Sequence, residues 1–162
     1  MPKIGKIALA VATAGLFTGA LTAAAPAASA QSTNFTALVE SVRDGDFLHK
    51  GPGNDVTLGT PSNWAFQEVA PDTYRIRAAN TVGAPCLSAS TEGTFLTVLP
   101  CDDPFFNQTW KLTPANPDQP DRVRIEAADA AGSVLEQHGP GERITLEHAT
   151  DNGRQQWLVY RR

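Results

Sequence analysis

The chain is 162 residues long, with a formal net charge of −4, 41% hydrophobic residues and 19% charged ones. That length suits one domain, or two at the very most. Apolar runs recurring along a chain so sparing in charge argue against disorder, and the lack of a basic stripe argues against broad binding to a nucleic-acid backbone.

The first thirty residues read as a targeting segment. Lys3 and Lys6 open it, Ile7 to Ala25 is apolar, and Ala28-Ser29-Ala30 has the small-residue pattern of a cleavage site. A membrane anchor is the alternative for so apolar a run, but Ala, Thr and Gly dominate it and the cleavage pattern follows where a leader needs one. The expectation is a cleavable signal peptide over 1–30 and a secreted chain over 31–162, without stable membrane insertion after cleavage. Removing both leader lysines takes the 13 basic residues to 11, against 17 acidic ones. In an oxidising compartment Cys86 and Cys101, the only two cysteines, are expected to pair rather than to bind metal or react as thiols. Closing that short loop contributes roughly 3 kcal/mol.

Behind the leader come short strand signals. Ala37 to Ser41 is a weak first example of a phrase repeated as Tyr74-Arg75-Ile76-Arg77-Ala78 and Val123-Arg124-Ile125-Glu126-Ala127. Turn glycines precede apolar residues as Gly45 before Leu48, Gly83 before Leu87 and Gly132 before Leu135. A nine-residue phrase follows each time: KGPGNDVTL at Lys50 to Leu58, STEGTFLTV at Ser90 to Val98 and HGPGERITL at His138 to Leu146. Within it Val56-Thr57-Leu58, Leu96-Thr97-Val98 and Ile144-Thr145-Leu146 alternate apolar and polar, the period of a half-buried strand. Gly-Pro-Gly and Asp-Gly clusters supply the positive-φ turns between hairpin arms. Each copy then closes on a tryptophan, at Trp64, Trp110 and Trp157, spaced 46 and 47 residues apart.

Three copies with about four strand signals each predict about twelve short strands and no sustained helix. A propeller with this repeat length would ordinarily have at least four blades. Three four-stranded repeats closing on a pseudo-threefold axis make a β-trefoil. The expected architecture is therefore all-β, one trefoil over 31–162, with repeats at about 35–70, 71–113 and 120–162.

At the tryptophans the sequence resembles a known family. Gln108-Thr109-Trp110 and Gln155-Gln156-Trp157 match the Q-x-W motif of ricin B-type lectin domains, and Asn107 before Gln108 extends it. Cys86-Leu87 and Cys101 are similar to that family's intra-repeat cysteine pair. The first copy reads Ser62-Asn63-Trp64, lacks the Gln, and is about five residues shorter before its Trp. The resemblance spans roughly Phe35 to Arg162. It implies structural roles for Trp64, Trp110, Trp157 and Gln155, with indoles filling the core and glutamine amides satisfying backbone groups at a bend.

For the ligand, the resemblance implies a carboxylate after the Cys-Leu-like pair, a ring after the Thr-containing strand and an amide three residues before the Trp. Such a set grips a pair of sugar hydroxyls and stacks under the apolar side of the ring. The carboxylate positions hold His49, Ser88 and Glu136; the ring positions Gly59, Leu99 and Glu147; the amide positions Pro61, Asn107 and Arg154. No pocket is complete. The expected ligand-binding residues are Ser88, Asn107 and Gln108 in the second copy, favoured because its amides are in register, and Glu136 and Arg154 in the third, where the two charges are expected to pair. Phe95, Phe105 and Phe106 are candidate replacement rings. Of the adjacent Phe105 and Phe106, one should point inward.

Other constellations point to no chemistry. His49, His138 and His148 lack metal-ligand spacing with a fourth donor, so neither a metal nor another cofactor is expected. No Gly-x-Ser-x-Gly elbow occurs, and Asp44, Asp46, Glu136 and Glu147 lack the pattern of a paired acid and base. An enzyme is not expected. Arg75 and Arg77 flank Ile76 and should both face solvent. Asn34-Phe35-Thr36 and Asn107-Gln108-Thr109 match glycosylation sequons, but the leader and the Arg-over-Lys bias suggest a bacterial source, where the match means little. The expected function is a secreted, non-catalytic, carbohydrate-binding module with degenerate pockets. The alternative is a protein-binding scaffold or an inhibitor of a secreted protease acting through Pro114 to Asp121, a Pro-rich acidic stretch that otherwise reads as a plain linker.

Overall fold

The computed structural model of the protein describes residues 34–162. The leader expected over 1–30 lies outside them. Twelve strands follow in chain order: β1 (Phe35–Ser41), β2 (Phe47–Lys50), β3 (Val56–Gly59), β4 (Trp64–Ala70), β5 (Thr73–Ala78), β6 (Cys86–Ser88), β7 (Thr97–Leu99), β8 (Trp110–Asn116), β9 (Gln119–Ala127), β10 (Ser133–Glu136), β11 (Thr145–His148) and β12 (Trp157–Arg161). Only a short 3₁₀ turn, Gly153–Gln155, interrupts this all-β pattern among the described residues.

Strands β1, β4, β5, β8, β9 and β12 pair in that cyclic order, every contact antiparallel, and close a barrel. The hairpins β2–β3, β6–β7 and β10–β11 cap one end. Closure leaves the barrel strands without an open edge. In each capping turn the repeated phrase places a glycine in the left-handed region, Gly53 at φ +60°, Gly93 at +76° and Gly141 at +78°. A side chain there would strain the turn.

The pseudo-threefold is written in the tryptophans. Trp64, Trp110 and Trp157 are all fully buried. Each indole donates to the carbonyl of an equivalent leucine: Leu48 at 2.9 Å, Leu87 at 3.1 Å and Leu135 at 3.3 Å. One polar atom per ring is thus satisfied inside an apolar core, and the bond ties the barrel strand to its hairpin. Around the axis the caps also bond to one another, as in Leu96 N–H to Ile144 O at 2.8 Å and Ile144 N–H to Val56 O at 3.0 Å. The sixth residues of the three phrases, Asp55, Phe95 and Arg143, converge there. The Arg143 guanidinium lies 3.0 Å from Asp55 and 4.2 Å from the centroid of the Phe95 ring.

The disulfide joins Cys86 and Cys101 across the second copy, with Cα atoms 5.1 Å apart. Two readings of the sequence need correction. Pro114 to Asp121 is neither a linker nor a free loop, because Asn116 pairs with Gln119 and Asp118 N–H donates to Asn116 Oδ1 at 2.9 Å, closing a β8–β9 hairpin. Strands tolerate proline at bulges and near their ends. Pro114 sits at a register shift and Pro120 is the second residue of β9. Nor are Arg75 and Arg77 simply solvated. Loops of the second copy fold over the outer face of β5, so Arg75 pairs with Asp102 at 2.6 Å and Arg77 Nε–H donates to Ala84 O at 2.9 Å. Arg124 and Asp151 repeat the first clamp at 2.9 Å in the third copy.

Candidate functional site

In each copy the outer face of the hairpin meets the bend before the tryptophan, through His49–Ser62, Ser88–Gln108 and Glu136–Gln155. Pairing of His49 with Thr57, Ser88 with Thr97 and Glu136 with Thr145 fixes the carboxylate positions. Pairing of Phe47 with Gly59, Cys86 with Leu99 and Val134 with Glu147 sets the ring positions beside them, on the face opposite the core leucines. What differs among the three copies is how each satisfies its own polar groups there.

The second copy is closed. Ser88 is fully buried, donates to Cys86 O at 2.8 Å and accepts from Gln108 Nε2 at 2.9 Å. The Gln108 amide also donates to Pro100 O at 2.9 Å and accepts from Asp102 N–H at 2.6 Å. Two of the three residues named from sequence as ligand contacts in this copy, Ser88 and Gln108, are therefore buried internal fasteners. Asn107 is half-buried; its backbone bridges to Ala89 and its Nδ2 sits 3.5 Å from Ser90 O. Phe105 is 82% exposed and Phe106 half-buried, so this copy offers a ring without a polar grip.

The first copy replaces the missing glutamine with a pair. His49 Nδ1 lies 2.9 Å from Ser62 Oγ and 3.0 Å from Thr60 O, and its imidazole packs over Gly59. Sequence reading missed this exchange, although Ser62 occupies the Gln position two residues before Trp64.

The third copy keeps a carboxylate in place. Asn152 caps the 3₁₀ turn by accepting from Arg154 N–H at 2.9 Å. The turn sends Gln155 inward and leaves Arg154 exposed. Fully buried Gln155 accepts from Thr150 N–H at 2.7 Å and donates to His148 O at 2.9 Å and to Glu136 Oε2 at 2.6 Å. Glu136 is half-buried, and its second oxygen has no protein partner among the described residues. The expected pairing of Glu136 with Arg154 is replaced by this amide, which reaches the carboxylate from beneath.

One serine, carboxylate and histidine lie close together. Ser133 Oγ–H donates to Glu92 Oε1 at 2.7 Å and His148 Nδ1 lies 3.7 Å from the same oxygen. The carboxylate stands between hydroxyl and imidazole, so the imidazole does not reach the hydroxyl, and the serine is only 3% exposed. Among the described residues no group of three or more His, Cys, Asp or Glu is placed to hold a metal.

No family model and no curated protein matches the chain. Solved structures do. A ricin B-like lectin from Macrolepiota procera, in complex with lactose, is 18% identical with a TM-score of 0.65, covering 78% of this chain and 95% of its own. SeviL, bound to the asialo-GM1 saccharide, is 16% identical with a TM-score of 0.60, covering 79% and 98%. The Rhizoctonia solani agglutinin is 13% identical with a TM-score of 0.62, covering 80% and 96%. The closed barrel, the three capping hairpins and these likenesses give the chain the β-trefoil fold that the ricin B-like lectin also has.

Proposed function

We propose that the protein is a secreted, non-catalytic carbohydrate-binding module whose working subsite is the third-copy cleft. The observation that carries the reading is Glu136. Its carboxylate is fixed by buried Gln155 at 2.6 Å while its other oxygen remains open to a ligand. A carboxylate accepts from two neighbouring sugar hydroxyls, and exposed Arg154 adds donors at the rim. Lactose and the asialo-GM1 saccharide in the similar lectins support the ligand class.

The other two clefts are degenerate, and the third has no ring at Glu147 for stacking. One subsite without a stacking face binds at submillimolar to millimolar affinity, about −4 to −5 kcal/mol. A glycan array displaying sugars densely enough to offset that weakness tests the reading. Binding should fall at least tenfold in Glu136→Gln and persist in Asn107→Ala. A blank array, or loss in Asn107→Ala alone, refutes the assignment.

A further inference from the structure

The barrel end away from the hairpins holds a cavity of about 340 Å³. Its origin lies in unequal side chains at equivalent positions. Pairing of Trp64 with Ala37, Trp110 with Tyr74 and Trp157 with Val123 makes Ala37, Tyr74 and Val123 counterparts. Two residues beyond each tryptophan stand Phe66, Leu112 and Val159. Two residues before the first set stand Phe35, Asp72 and Asp121.

In the first copy Phe35 folds over the small Ala37. It stacks on Phe66 at 4.7 Å and meets Tyr74 edge-on at 5.7 Å. No ring does this for the third copy, where the counterpart of Phe35 is the exposed Asp121 and the layer beneath is Val123 and Val159. The space an aromatic fills on one side is left open on the other. Tyr74 and Leu112 complete its apolar floor, and Pro114 and Pro120 give it a stiff wall.

Charge at the mouth selects the occupant. Asp72 and Asp121 both line the cavity and neither forms an ion pair among the described residues. The one cation there, Arg161, is held over the Phe35 ring, 4.1 Å from its centroid. An apolar hollow under two unpaired carboxylates calls for an apolar body carrying a positive charge.

The geometry points to a binding site for a small monocationic amphiphile, an aryl- or alkyl-ammonium compound, seated on Leu112, Val123 and Val159 with its charge between Asp72 and Asp121. It shares no residue with the proposed glycan subsite at Glu136. Three probes with one ring and different charge test it: 2-phenylethylammonium, 2-phenylethanol and 3-phenylpropionate, titrated into the ¹⁵N-labelled protein and followed by amide shifts. Shifts should centre on Tyr74, Leu112, Val123 and Val159, with the ammonium binding at least fivefold tighter than the alcohol and the carboxylate weakest. Asp72 has a positive φ of 55° that Asn also tolerates. Asp72→Asn with Asp121→Asn should therefore keep the fold and reduce the ammonium's advantage to under twofold. Val159→Phe, copying Phe66, should remove binding of all three probes. Equal or tighter binding of 3-phenylpropionate, shifts centred elsewhere, or unchanged binding in Val159→Phe would overturn the assignment. So would a dimer burying these same residues, which would give the cavity to a second copy of the chain.

Discussion

Replacing Gln155 with Leu tests the central claim about the third cleft, that one buried amide both holds the bend before Trp157 and aims Glu136. Leucine is close in size and leaves no large void, so the loss is mainly of hydrogen bonds. The bonds to Thr150 N–H at 2.7 Å and His148 O at 2.9 Å contribute about 1 kcal/mol each, since water can reach both exposed residues once the amide is gone. The bond to the Glu136 carboxylate at 2.6 Å is charge-assisted and contributes about 2 kcal/mol. Added apolar burial returns about 1 kcal/mol. The net cost is about 3 kcal/mol, a large part of the stability of a domain this size. At about 2 cal/mol/K per residue, a domain of roughly 130 residues should melt about 10 °C lower. Urea denaturation and calorimetry read both quantities, and glycan binding should weaken in the variant even where it remains folded. A loss below about 1 kcal/mol, with binding intact, would mean that the amide is incidental and that Glu136 is placed by something else.

Two further outcomes are expected. Alkylation of the unreduced protein should find no free thiol, and reducing the Cys86–Cys101 bond should cost roughly 3 kcal/mol by denaturant titration; two titratable thiols would refute the bond. The Tyr160 hydroxyl is held above the ordinary tyrosine range, first by desolvation, then by its hydrogen bond to Glu40 and the negative charges of Glu40 and Asp121. Because the folded chain favours the neutral phenol, that contribution to stability is complete below the ordinary tyrosine value and is lost as pH rises through the raised one. Ultraviolet titration should show Tyr160 ionising late and moving down in Glu40→Gln, and an unmoved Tyr160 would rule out the carboxylate's part.

The fold was legible because a threefold architecture states each constraint three times. A single apolar-Thr-apolar run is ambiguous between strand and loop. Three of them at matching distances from a glycine and a tryptophan are not, and the indole bonds to Leu48, Leu87 and Leu135 give the physical reason for that spacing. The Pro114 to Asp121 hairpin was not legible, since proline-rich composition reads as linker until the bulge and strand start that accommodate the prolines are seen. The arginine clamps were hidden for a related reason. Strand alternation puts Arg75 on the outer face, but nothing local reveals that the loop carrying Asp102 will fold over it.

The site was half legible, and the division follows from what register can and cannot say. Sequence register identifies Ser88, Gln108, Glu136 and Gln155 as occupants of equivalent positions, and the structure brings each pair together. Register does not say which member still faces solvent. A serine hydroxyl is short enough to be swallowed by its glutamine and a neighbouring carbonyl, whereas a glutamate has two oxygens and a longer stem, so one oxygen can be fixed while the other stays available. Glu136 therefore outranks the better-matched Asn107 and Gln108 on chemistry that alignment alone does not weigh. The same logic applies at the far end of the barrel, where Phe35, Asp72 and Asp121 are counterparts by position and opposites by chemistry. Positions that keep their residue type through all three copies hold the trefoil closed. Those that change it either fasten the fold in another way, as Arg143 does on Asp55 and Phe95, or leave polar and apolar groups open, as at Glu136 and Val159.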